Sequence, residues 1–91
     1  MLETEAPPER ADGHLDTLGL YCPLPIIKTA ARMRGMRPGE TLEVISSDRV
    51  ILVDMPAWCR SSGNAYLGAR QAGEREFHVF VRKAAPRKHP A

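Results

Sequence analysis

The sequence has few of the features that define several protein classes. It contains two cysteines, one Trp, two Tyr and two Phe among 91 residues. No apolar run approaches the roughly 18 residues that a membrane-spanning helix needs. The first residues are polar and acidic and do not resemble a secretory signal segment. We therefore expect a cytoplasmic protein that makes no membrane contact and keeps its thiols reduced.

Further absences limit the chemistry. Cys22 and Cys59 form neither a CxxC pair nor a disulfide framework. The three histidines, His14, His78 and His89, are far apart in the sequence, and none pairs with a cysteine at ligand spacing, which argues against a metal site. Scattered glycines form no phosphate-binding loop. The formal net charge of +2 is too small to indicate nucleic-acid binding. The sequence thus predicts no metal and no cofactor.

The most informative segment is Gly-Leu-Tyr-Cys-Pro-Leu-Pro at residues 19–25. Proline is favoured in the first turn of a helix, so a helix is predicted to begin at Pro23 with Cys22 as its N-cap residue. The helix dipole would then favour the thiolate and lower the thiol pKa from about 8.5. Pro23 and Pro25 would stiffen this turn and direct the thiol outward. The alternative is that Cys22 is a small buried apolar residue.

Hydrophobic periodicity predicts the elements in the order βαβαββ. Strands are expected at 14–18, 40–47, 64–70 and 75–83, and helices at 23–34 and 50–62. Two helices of this length cover one face of a four-stranded mixed sheet, so the predicted class is α/β (α+β), a two-layer sandwich. Residues 1–13 are predicted to be a disordered N-terminal tail, residues 14–83 the domain, and residues 84–91 a loose basic tail.

Alternation along each element predicts which side chains are buried. The first helix is expected to bury an apolar stripe of Ile26, Ile27, Ala30 and Met33. The last strand is expected to bury Phe77, Val79 and Val81. The open face of the sheet is expected to carry Phe80 and His78, with Tyr66 or Ile45. Pro56 is expected to kink the second helix or to mark where its regular part starts. Cys59 is interpreted as a structural core cysteine, with a second sulfur-handling thiol as the alternative.

Several short motifs resemble one known family, the TusA/SirA-like sulfur carriers. They are Asp16-x-x-Gly19-x-x-Cys22-Pro23-x-Pro25, Met36-x-Pro38-Gly39-Glu40, Asp48 and Asp54-Met55-Pro56-x-Trp58-Cys59. The resemblance covers about residues 14–83 and implies a βαβαββ fold with a persulfide on Cys22. Two departures occur at the start of the second helix: Arg49 replaces a frequent proline, and residues 50–52 are apolar where members often carry Ser or Thr.

The resemblance also implies partners. A cysteine desulfurase or a rhodanese-like protein would donate the sulfur, and a downstream acceptor protein would receive it. In the best-known members the relay leads to 2-thiolation of the tRNA wobble uridine, and relatives serve molybdenum-cofactor maturation or sulfur oxidation.

Three hypotheses follow for function. In the first, the protein is a sulfurtransferase that acts as a persulfide carrier on Cys22, because a reactive thiol without an evident internal base suits a carrier better than a self-sufficient enzyme. Asp16 and Gly19 would support the segment that leads to the thiol. In the second, the protein is a non-catalytic interaction or regulatory module, and Cys22 is passive. In the third, Lys28, Arg32 and the basic tail bind nucleic acid, but few cations and no aromatic stacking platform argue against it.

Overall fold

The computed structural model describes residue 8 and residues 10–85 of the chain. Its elements are β1 (Gly13–Thr17), α1 (Leu24–Met33), β2 (Thr41–Ser46), α2 (Ile51–Ser62), β3 (Ala65–Gly73) and β4 (Glu76–Arg82). The predicted βαβαββ order and the two-layer α+β class are confirmed. Most of both predicted tails, residues 1–7, 9 and 86–91, lies outside the described residues. The first strand begins one residue earlier than predicted, and Asp12 already pairs with Thr41 of β2 through two hydrogen bonds of 2.8 Å.

The sheet is mixed, with the strand order β1-β2-β4-β3. β1 and β2 are parallel, whereas β4 is antiparallel to both of its neighbours. Parallel strands need a crossover connection, which α1 provides. The carboxyl ends of β1 and β2 therefore lie at the same edge of the sheet, where Thr17 pairs with Ser46. The loops that lead into α1 and α2 both start at this edge, which brings the two helix starts together.

Both helices pack on one face of the sheet, α1 against β1 and β2, and α2 against β3 and β4. The core between the layers consists of Met33, Leu42, Val44, Ile51, Met55, Cys59, Phe77, Val79 and Val81. The predicted alternation along the last strand is confirmed. None of the helices in the described part of the chain is long and apolar enough to cross a membrane.

The predicted buried stripe of α1 is correct at Met33, and Ile26 packs partly buried against the core, but the prediction was wrong at Ile27. The helix buries Pro25, Thr29 and Met33, whereas Ile27 is 55% exposed. These three residues recur at a spacing of four and form one narrow row, and Ile27 lies two positions from Pro25 on the other side of the helix. Thr29 is fully buried because its hydroxyl donates a 2.7 Å hydrogen bond to the carbonyl of Pro25, which satisfies its polar group.

Pro56 lies inside α2 and does not mark the start of the helix. The assigned helix runs without a break from Ile51 to Ser62, and Pro56 leaves the carbonyl of Leu52 without its usual intrahelical donor. The predicted stop at Gly63 is confirmed. This residue has a left-handed φ of 85°, and its N–H donates to the carbonyl of Cys59 at 2.9 Å.

The open face of the sheet holds a cluster of ionisable side chains that sequence spacing did not reveal. Glu43 is 8% exposed and interacts with Nδ1 of His14 at 2.7 Å and with Nδ1 of His78. Nε2 of His78 also contacts the carboxylate of Glu76 at 2.8 Å. The two histidines are 64 positions apart in the chain, but the register of the sheet pairs His14 with Glu43 and places His78 opposite Ile45, two residues further along the same face of β2. His89 lies outside the described residues.

Two predictions for this face were corrected. Phe80 lies on it as expected but is 1% exposed, because the Arg70 guanidinium covers its ring at 5.3 Å from the centroid. Of the two alternatives, Ile45 lies on this face opposite His78, whereas Tyr66 packs against the core on the helix side. A register shift between Tyr66 and Gly68 explains the difference. It interrupts the strict alternation of β3, so that Tyr66 and Gly68 face opposite sides of the sheet although they are two positions apart.

The Glu43 cluster predicts a pH-dependent stability. Burial opposes both charges, yet the histidine bonds lower the pKa of Glu43 below 4.5, and the bonds to Glu43 and Glu76 raise the pKa of His78 above 6.5. The Glu43 contribution is therefore lost as pH falls below 4.5, and the His78 contribution is lost as pH rises above 6.5. We expect Glu43→Gln to cost about 1–3 kcal/mol between these values and less on either side.

Urea unfolding of both proteins at a series of pH values measures this difference in unfolding free energy. The same difference at pH 5.5 and pH 9 would contradict the assignment.

Candidate functional site

Cys22 lies in the loop between β1 and α1, at the edge of the sheet where the two helices start. Its side chain is exposed, and the peptide bond to Pro23 is cis. α1 begins at Leu24 with Pro23 as its N-cap residue, so Cys22 precedes the N-cap by one position. The prediction of Cys22 at the N-cap was therefore wrong by one residue.

The start of α1 has few N–H groups left for an anion. Pro23 and Pro25 have none, the N–H of Leu24 donates to the carbonyl of Tyr21 at 2.8 Å, and the N–H of Ile26 donates to the carbonyl of Pro23 at 3.1 Å. A helix terminus binds an anion mainly through free N–H groups. This terminus therefore offers the Cys22 thiolate little stabilisation.

A carboxylate from α2 determines the protonation state of the Cys22 thiol instead. Sγ of Cys22 donates a hydrogen bond to Oδ2 of Asp54 at 2.7 Å. This bond raises the pKa of Cys22 above its ordinary value, with smaller contributions from desolvation and from the charges of Asp54 and Asp48. The predicted lowering of the Cys22 pKa was wrong, because the carboxylate favours the neutral thiol.

Asp48, from the loop before α2, fixes the backbone of this corner. One carboxylate oxygen accepts the N–H of Cys22 at 3.2 Å, and the other accepts the N–H of Val50 at 3.1 Å. The same side chain thus joins the loop before α1 to the start of α2. Neither Asp48 nor Asp54 forms an ion pair with another described residue.

The other predicted site residues shape the loop, and none of them is a hydrogen-bond partner of the thiol. Asp16 accepts the N–H of Leu18 at 2.9 Å and closes the turn after β1. Gly19 has a φ of 85°, and its N–H donates to Oγ of Ser47 at 2.9 Å. Pro25 is buried beneath the corner, whereas Pro23 is exposed.

A small depression adjoins Cys22 between the two helix starts. Its walls are Cys22, Pro25, Ile26, Asp48, Val50, Ile51 and Asp54. Its volume of about 10 Å³ has room for roughly one water molecule. The thiol therefore lies at a surface that a protein partner can reach. The depression beside it is too small for a substrate-sized molecule.

Cys59 is in a different environment. It is 2% exposed in the core, and burial raises its pKa to about 11. Both cysteines are free thiols. Within residues 10–85, no group of three or more His, Cys, Asp or Glu residues is arranged to hold a metal ion.

We expect iodoacetamide to alkylate Cys22 in the native protein and to spare Cys59, because alkylation requires an accessible thiolate. Labelling at neutral pH for a fixed time, followed by mass spectrometry of peptides, measures both thiols. In denaturant both thiols should react. Equal labelling of the two cysteines in the native protein would contradict this prediction.

Asp48 and Asp54 were identified in the sequence only as motif positions, and no role at the thiol was predicted for either. Asp54 is 32 positions from Cys22. The sequence signal that could have placed them near Cys22 was the parallel βαβ unit, since the two loops that leave its strands must meet at one edge of the sheet.

Comparisons with known proteins agree with this architecture. Residues 14–83 match the family model described as Sulfurtransferase TusA. The putative sulfur carrier protein YrkF of Bacillus subtilis is 45% identical over 69 residues, which are 76% of this chain and 37% of that protein. The sulfur carrier protein TusA of Allochromatium vinosum is 33% identical over 73 residues, covering 80% of this chain and 95% of the relative.

The crystal structure of a SirA-like protein from Desulfitobacterium hafniense has the same fold. Its TM-score is 0.69 at 15% sequence identity, over 80% of this chain and 99% of that one. The chain spans well under half the length of the Bacillus relative and nearly all of the Allochromatium one.

Proposed function

Because this chain belongs to the TusA sulfurtransferase family, we propose that it carries a sulfur atom as a persulfide on Cys22. The observation that carries the proposal is the exposed Cys22 thiol at the edge where β1 and β2 both end. Pro23 and Pro25 flank the helix start, and Asp48 holds the backbone N–H of Cys22. Asp16 and Gly19 support the loop that leads to it.

The loading reaction transfers one sulfur atom between two thiols. The Cys22 sulfur attacks the outer sulfur of a persulfide on the donor protein, a new S–S bond forms on Cys22, and the S–S bond of the donor breaks. The donor leaves as a thiol that takes up the proton released by Cys22. The reaction needs no external oxidant or reductant.

A carrier role fits the surroundings of the thiol better than stand-alone catalysis. The hydrogen-bond partner of Cys22 Sγ among the described residues is the Asp54 carboxylate, and neither of the two described histidines bonds the sulfur. An enzyme that completes its chemistry alone needs a base near neutral pKa beside its nucleophile. Here the sulfur donor and the acceptor protein supply the rest of the chemistry.

We propose a cysteine desulfurase or a rhodanese-like protein as the donor. For delivery we propose an acceptor protein in a relay towards tRNA 2-thiolation, in line with the family resemblance. A deletion strain should then lose 2-thiouridine from its tRNA. Normal 2-thiouridine together with a defect in molybdoenzymes or in sulfur oxidation would assign the carrier to one of those pathways instead.

The proposal is tested by incubating the reduced protein with a cysteine desulfurase, pyridoxal phosphate and cysteine. Intact mass spectrometry should show a gain of one sulfur atom that dithiothreitol removes. An unchanged mass after treatment with both the desulfurase and inorganic polysulfide would refute a persulfide carrier.

A further inference from the structure

The large apolar side chains that are exposed in the described part of the chain all lie in the loop before α1, in α1 or at the start of α2, the segments that meet at Cys22. They are Leu18, Tyr21, Leu24, Ile27, Val50 and Val53. Each of them lies within five positions of Cys22 or Asp54 in the sequence. We name these six residues, together with Cys22 and Asp54, the Cys22 surface. A group of exposed apolar residues beside a reactive atom marks a protein contact better than scattered single ones do.

The charges that contact the Cys22 residue itself are negative. The carboxylates of Asp48 and Asp54 lie next to the thiol, and no described cation pairs with either. Among the cations of these segments, Arg49 lies over the Phe77 ring at 5.6 Å from its centroid, Arg32 donates to the carbonyl of His14 at 3.1 Å, and Lys28 is exposed on α1. The Cys22 surface is therefore complementary to an apolar protein surface that carries a Lys or Arg side chain.

The bond to Asp54 also has a consequence for the loading step. The thiolate is the attacking form, and the carboxylate holds Cys22 as a neutral thiol. A cation placed against Asp54 would compete for the carboxylate and remove this effect. Loading is the step in which Cys22 attacks, so the protein that brings this cation is the sulfur donor and not the acceptor.

We propose that the Cys22 surface docks the sulfur-donor protein, and that a donor Lys or Arg engages Asp54 and thereby frees Cys22 to attack. The inference rests on the proposed carrier function and adds a condition to it. In the free protein the hydrogen bond to Asp54 keeps most of the Cys22 thiol neutral and so slows its reactions, and docking raises its reactivity. In the activated complex, the Cys22 proton passes to the leaving thiolate of the donor, so the exchange remains balanced.

Asp54→Asn tests the role of the carboxylate through three rates: alkylation of Cys22 by iodoacetamide, loading by inorganic polysulfide, and loading by a charged cysteine desulfurase. The two small reagents should react several-fold faster with the variant, because loss of the carboxylate lowers the pKa of Cys22 and leaves more of it as thiolate at neutral pH. The rate of loading by the desulfurase should not increase, because the cation of the desulfurase no longer has the Asp54 carboxylate to bind.

Ionic strength gives a second readout. Added salt should slow desulfurase loading of the wild type more steeply than that of Asp54→Asn, because the variant has lost one charge of the attracting pair. If desulfurase loading of Asp54→Asn rises by the same factor as alkylation, with an unchanged salt dependence, Asp54 only suppresses the thiol and the proposal is wrong.

The apolar part of the surface is tested with the double variant Ile27→Ser/Val53→Ser. Both residues are more than half exposed, so the fold should tolerate the change. Alkylation and polysulfide loading should stay within about twofold of the wild type, whereas desulfurase loading should fall about tenfold. Ala65→Ser, an exposed position at the opposite end of the sheet, is the control and should change none of the rates.

These outcomes separate the docking proposal from the carrier proposal. A wild type that neither reagent loads would refute the carrier function itself. A wild type that polysulfide loads but neither a desulfurase nor a rhodanese loads would refute docking of a donor protein. Equal desulfurase loading of wild type and double variant would do the same.

Discussion

Cys22→Ser is expected to abolish sulfur loading while leaving the protein folded. A serine hydroxyl cannot accept sulfur as a persulfide, so the variant should gain no mass from a desulfurase that fully loads the wild type. Serine keeps the backbone N–H that bonds Asp48 and can still donate to Asp54. Because the side chain is exposed, the free energy of unfolding should change by no more than about 0.5 kcal/mol.

Cys59→Ala is the matched control for this experiment. It removes the other thiol from the core but leaves the Cys22 corner intact, so loading should remain. Sulfur gained by Cys22→Ser, or lost by Cys59→Ala, would show that the chemistry is not at Cys22. The interaction-module hypothesis makes a different prediction, since Cys22→Ser would then leave partner binding and the cellular role unchanged.

Leu42→Ala is expected to destabilise the fold more than any surface change near the site. Leu42 is fully buried in β2, between strands β1 and β4. Truncating a buried leucine loses its transfer free energy and leaves a cavity, at a cost of about 2–5 kcal/mol. A domain of this size has about 5–15 kcal/mol of stability in total, so the melting temperature should fall markedly.

Leu24→Ala is the matched control, because it makes the same chemical change at a position that is 44% exposed. Alanine is also at least as favourable as leucine in a helix, so the variant should unfold within about 0.5 kcal/mol of the wild type. Urea denaturation of the three proteins measures the difference. Similar losses in both variants would contradict the assignment of Leu42 to the core.

The fold could be predicted from the sequence because its signals are local. Phe77, Val79 and Val81 occupy every second position of β4 and form its side that faces the helices. Gly63 stops α2 where a left-handed residue is required. The burial of α1 was predicted less well, because Thr29 satisfies its hydroxyl within the helix and so fits a core position that composition assigns to an apolar residue.

The site was predicted only in part. The sequence placed an exposed cysteine at the start of α1, since Pro23 and Pro25 mark that turn. It did not predict the direction of the pKa shift, because the cause is a contact between Cys22 and Asp54 that depends on how two helices meet. For the same reason His14 and His78 looked unrelated in the sequence, although both contact Glu43 of β2 in the structure.

The central claim is that the transferred sulfur resides on Cys22, and peptide mapping of the loaded protein tests it most directly. After alkylation, trypsin separates the two thiols, because Lys28 and Arg49 lie between them in the sequence. Tandem mass spectrometry should find one additional sulfur on the peptide of residues 11–28 and none on the peptide of residues 50–60. Sulfur on the Cys59 peptide, or on neither peptide of a protein with increased mass, would contradict the account.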